Sequence, residues 1–132
     1  MRYDTWPEAL FEFVASRQNT PFAWGSHDCV LFAVDCAHAM TGVDYAAPYR
    51  GYDSEFGAGR ILVEYGGLRQ LATANMGPEI PPTLARRGDW CLIMQDGREA
   101  LSVCMGLFLL AAGPTGLTLR PTCDAITAWR IE

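Results

Sequence analysis

The chain has 132 residues, of which 50% are apolar and 19% charged, with a formal charge of −5. That length fits one domain with a real core, and the composition excludes a disordered chain. The acidic balance argues against nucleic acid as the main partner, because phosphate binding needs clustered cations. All ten basic residues are arginine, and only Arg86-Arg87 are adjacent; the rest are scattered along the chain.

The front part reads as helices. Thr5-Trp6-Pro7-Glu8 has the form of a capping box, with Thr5 as N-cap and Glu8 three residues on. Trp6, Leu10, Phe13 and Val14 then share one helical face. After a turn-prone stretch, Gln18 to Gly25, a second helix runs from about Asp28 to Thr41 and stops at Gly42. Its apolar residues wrap most of its circumference, so it should be nearly buried. Val43 to Asp53 has little periodicity and reads as a packed loop carrying Tyr45, Tyr49 and Tyr52. These tyrosines suit either an interface patch or the rim of the core. A third helix runs from about Ser54 to Tyr65, ended by Gly66-Gly67, and a fourth from about Leu68 to Asn75.

Beyond the breakers Gly77-Pro78 and Pro81-Pro82 the periodicity turns to strands. These are Trp90–Gln95, Leu101–Met105, Leu107–Ala111, Leu117–Arg120 and Ala125–Ile131, with hairpin turns at Asp96-Gly97 and Gly113-Pro114-Thr115-Gly116. Helices followed by an antiparallel meander is an α+β order. The expectation is a single unit over residues 1–132, helical from about 5 to 76. A curled antiparallel sheet of five to six strands follows from about 88 to 131.

Five cysteines, at 29, 36, 91, 104 and 123, with no apolar leader ahead of them read as reduced thiols made in a cytoplasm. Their spacings match no metal-ligand pattern, so no metal or other cofactor is expected. The longest apolar run, Leu107 to Ala112, is too short to span a bilayer. Asp35 sits mid-helix among apolar residues and needs a partner, for which Arg60 or a loop N–H is the expectation.

The most informative segment is Pro21-Phe22-Ala23-Trp24-Gly25-Ser26-His27-Asp28-Cys29. It puts a cysteine in the first turn of a buried helix. Partial positive charge and free N–H groups there favour a thiolate and offer an oxyanion hole. Asp28 reads as N-cap or as a carboxylate tuning the thiol. His27 is a candidate base only if the loop bends toward Cys29, and His38 lies on the opposite face of the helix. Buried free cysteine is also common in cores, which is the plainer reading of Cys29.

Trp24-Gly25 … Asp28-Cys29 resembles the nucleophile motif of NlpC-type papain-like cysteine peptidases. Arg87-Gly88-Asp89-Trp90 resembles the Gly-Asp step that opens that family's sheet. Closer still is the likeness to a group of short phage and prophage proteins that share Pro-Phe-x-Trp-Gly-x-x-Asp-Cys, Phe32-Ala33-x-Asp35, Met40-Thr41-Gly42 and Ala128-Trp129-Arg130. The resemblance implies a papain-like fold with Cys29 at the nucleophile position. It departs from active members at the start of the second strand, where their histidine gives way to Leu101-Ser102-Val103-Cys104-Met105-Gly106. No polar orienting residue follows in Leu107 to Ala112. What the resemblance implies is a structural component of a phage tail, at the tail tip or hub. It would be made in the host cytoplasm and contact other tail proteins, with peptidoglycan as a further possible contact. The alternatives are an active NlpC-type hydrolase cleaving cell-wall peptides during phage entry through Cys29, and a host-directed binding protein.

Overall fold

The computed structural model describes residues 1–132. Four helices come first: α1 (Trp6–Arg17), α2 (Cys29–Thr41), α3 (Glu55–Tyr65) and α4 (Leu68–Met76). Five strands follow: β1 (Trp90–Gln95), β2 (Arg98–Cys104), β3 (Phe108–Gly113), β4 (Gly116–Pro121) and β5 (Thr127–Trp129). The strand order is β4-β3-β2-β1-β5, antiparallel throughout, so the expected α+β class is observed with five strands. β4 and β5 are the edge strands, each met by the chain outside the sheet: Ile80 exchanges backbone hydrogen bonds with Ala128 of β5, and Leu117 N of β4 donates to the Gln18 carbonyl.

α2 is the central helix, with nine of its 13 residues buried. Asp28 caps its start and Gly42, left-handed at φ 80°, ends it, as the sequence dictates. The capping box at Thr5 does not form. Thr5 has φ −91° and ψ 18°, outside the extended region an N-cap needs, and makes no side-chain cap bond. Proline inside the first turn of α1 already lacks one of the N–H groups a cap would serve. Ser54 belongs outside α3, capping it through Gly57 N.

The helices cover one face of the sheet. Trp90, Leu92, Leu101, Val103, Leu110 and Trp129 join the buried residues of α2 and α4 in a single core. Two indole N–H groups tie the layers: Trp90 donates to the Ala33 carbonyl at 2.9 Å, and Trp129 to Thr73 Oγ1 at 3.1 Å. The opposite face, with Cys91, Ile93, Cys104 and Leu109, is buried as well. β2 meets β3 through only two residue pairs, Val103–Leu110 and Cys104–Leu109. Before Val103 the two strands splay, and that opening faces the start of α2.

β5 is shorter than expected. Arg130 and Ile131 leave the strand because Asp89 claims them: Ile131 N donates to Asp89 Oδ1 at 3.0 Å, and Arg130 Nε lies 3.2 Å from Oδ2. Leu107, expected in a strand, is 92% exposed in the β2–β3 turn. The Val43–Asp53 loop is packed, and it corrects the Asp35 expectation. Arg50, not Arg60, reaches Asp35 at 2.7 Å, and it holds Asp44 at 2.8 Å as well. The partner does come from a loop, but as a guanidinium rather than the expected loop N–H, because this loop folds back over α2.

A candidate cysteine site without a base

Two loops build the entry to α2. Ala23 and His27 exchange backbone hydrogen bonds, closing a tight turn around Gly25. Gly25 sits at φ 80°, and a Cβ there would lie 1.9 Å from the Tyr52 carbonyl oxygen. Only glycine lets this turn press onto the 52–53 backbone. Asp28 fastens both segments to the helix. Its Oδ1 accepts from Leu31 N at 2.8 Å, and its Oδ2 from Gly25 N at 3.1 Å and from the Tyr52 hydroxyl. Asp28 is therefore a buried N-cap and loop anchor.

Cys29 follows, at the meeting point of two cavities. One, about 590 Å³, opens between Trp24, Arg98, Glu99, Ala100 and Ala112. The other is an apolar notch of about 100 Å³ among Tyr52, Ile61, Leu62 and Leu71. β2 and β3 contribute Arg98, Glu99, Ala100, Ala112 and Gly113 to the wall of the larger cavity, and neither strand contains a histidine, asparagine or glutamine.

The electrostatics oppose ionisation of the thiol. Burial pushes Cys29 up to about 11, and the Asp28 carboxylate pushes the same way. Backbone hydrogen bonds from Leu101, Val30 and Cys29 itself oppose this without overcoming it. Desolvation thus works against the thiolate that a helix N-terminus favours. Of the N–H groups in the first turn, Leu31 N goes to the Asp28 carboxylate and Phe32 N to the Asp28 carbonyl, which leaves those of Cys29 and Val30 beside the sulfur.

His27 does not supply the missing base. It is 3% exposed, and its ring lies edge-on to Phe32 at 5.6 Å, with Arg17, Asp35 and Asp28 as its charged surroundings. Phe32 in turn stacks on Phe13 of α1, so the imidazole belongs to the α1–α2 interface. Its Nε2 is buried without a partner, and burial lowers its affinity for a proton. His38 is exposed on α2. Of the expected site residues the structure therefore joins Asp28 and Cys29 and turns His27 away.

The tyrosines do not make a surface patch. Tyr49 is 7% exposed and its hydroxyl accepts from Asn75 Nδ2 at 2.9 Å. Tyr52 donates to Asp28, and Tyr45 is half-buried against the core. Sequence reading missed Tyr52 as the brace of Asp28 because the two lie 24 residues apart, separated by α2 and an aperiodic loop. Cys36, Cys91 and Cys104 are buried free thiols and Cys123 an exposed one. No three His, Cys, Asp or Glu residues converge as metal ligands. No helix is long and apolar enough to cross a membrane.

The family model described as a domain of unknown function (DUF6950) matches residues 1–131, and the chain belongs to that family. No curated protein and no solved structure matches it.

Proposed function

We propose that this DUF6950 domain is a structural component of a phage tail, at the tip or hub, built on an NlpC-type papain-like fold that has lost its hydrolase chemistry. The observation that carries the loss is the surroundings of Cys29. The cysteine sits at the start of a central helix facing a sheet, but burial disfavours its thiolate and the facing strands β2 and β3 contain no histidine. A Cys–His mechanism needs an imidazole within hydrogen-bond reach of the sulfur and a group to orient it. The tail assignment draws its support from the ordered motifs between Pro21 and Arg130. Work is then done by surfaces, and Cys29 serves as a small apolar residue sealing the helix entry.

Complementation tests the reading. A phage lacking the gene should regain infectious particles equally with wild-type protein and with Cys29→Ala. The protein should appear among the structural proteins of purified particles by mass spectrometry. Its absence from particles would overturn the tail role. A Cys29→Ala protein that folds and enters particles yet leaves them non-infectious would restore the hydrolase reading.

A further inference from the structure

A cavity of about 640 Å³ shares no residue with the Cys29 cleft. It lies where the start of the chain, the Arg86-Arg87 turn and the Arg130–Glu132 segment meet, and Arg2, Arg86, Arg87, Arg130, Trp6 and Glu132 line it. Arginines scattered in sequence thus converge in space. Four arginines against Asp89 and Glu132 give this region a formal charge of +2, which leaves −7 for the remainder of a chain whose total is −5.

Its hydrogen bonds show which cations are committed to the fold. Arg2 is spent: it donates to the Ile131 and Arg87 carbonyls at 2.7 and 2.8 Å and to Asp89 at 2.9 Å, and its guanidinium lies 4.3 Å above the Trp6 ring. Arg130 donates to the Leu84 carbonyl, and its Nε, near Asp89, has no hydrogen bond. Arg86 and Arg87 are exposed, and neither guanidinium has a hydrogen bond or ion pair in the chain. Arg87 rests 5.6 Å over Trp6, which holds it at the cavity beside Arg2. Buried Asp89 is the anchoring carboxylate and already serves Arg2 and Arg130. Two guanidinium forks are left presented to solvent, that of Arg87 over the Trp6 ring.

We propose that this cleft binds the carboxylates of an acidic segment of a partner protein, with Arg86 and Arg87 supplying the free forks. Planar guanidinium groups pair bidentately with carboxylates. A long nucleic acid leaving the cleft would run along a surface carrying the remaining −7, whereas a short acidic segment ends within it. The site is independent of the Cys29 reading and stands or falls separately.

Calorimetric titration of the intact chain with a hexaglutamate peptide at low ionic strength tests it. Arg86→Glu/Arg87→Glu should weaken binding by roughly tenfold or more, while Arg60→Glu, an exposed control, leaves it unchanged. The double variant should unfold as cooperatively as wild type, since neither guanidinium holds the fold together. Absence of peptide binding by the wild type would overturn the proposal. So would equal loss in the Arg60 control, binding unaffected in the double variant, or a hexathymidylate strand or inorganic phosphate binding as tightly as the peptide.

Discussion

Asp89 offers the sharpest test of how the two ends of the chain are held. It is fully buried, and each oxygen faces two donors: Oδ1 faces Arg2 and Ile131 N, Oδ2 faces Arg86 N and Arg130 Nε. Asp89→Asn keeps the volume but replaces one oxygen with an NH₂ group that points at donors. It also leaves two guanidinium groups without their counter-charge. Breaking a buried charge pair costs about 3–5 kcal/mol. Arg2 and Arg130 keep 15% and 29% side-chain exposure and can turn partly to water, which favours the lower end. About 3 kcal/mol, set against an unfolding entropy of about 2.1 cal/mol/K per residue, lowers Tm by ~10 °C. Thermal and urea unfolding followed by circular dichroism would read this. A loss under ~0.5 kcal/mol would refute the view that Asp89 ties Arg2, β1 and the Arg130–Ile131 segment into one unit.

Gly25→Ala should destabilise by ~2 kcal/mol or more, because it combines a left-handed φ with a backbone clash against Tyr52; an unchanged urea midpoint would contradict the tight turn. His27 gives a pH signature. Its folded-state pKa is lowered by burial, so the unfolded chain takes up a proton near 6.5 that the folded ring refuses. Stability is then full above 6.5 and falls as pH drops through the folded value. His27→Leu should flatten that slope in urea titrations between pH 7 and 5, and an identical slope would place the ring in water.

The α+β order, α2 and its cap, and the Asp96-Gly97 hairpin turn were legible because each rests on local rules. Asp28 and Gly42 bracket α2 by capping preferences, and alternation marks β1. The contacts that define the sites were not legible, because they join distant segments. Tyr52 reaches Asp28, Arg50 reaches Asp35, and arginines from three separate segments line one cavity. His27 illustrates the limit at close range: two residues from Cys29 in sequence, it turns to α1 because Phe32 and Phe13 offer its ring a buried apolar surface. The absence of histidine from the second strand was plain in the sequence, and the structure adds Ala100 and Ala112 at the cleft beside the sulfur.

Site-resolved alkylation of Cys29 tests the central claim most directly. With the thiol pushed up to about 11 from an ordinary 9.0, its thiolate fraction at pH 7 is ~100-fold below that of a free cysteine. Iodoacetamide followed by peptide mass spectrometry should therefore label exposed Cys123 first, with Cys29 ~100-fold slower than a model thiol and still accelerating above pH 9. Labelling of Cys29 ahead of Cys123 near neutral pH, levelling off below pH 8, would show an activated nucleophile and contradict the account.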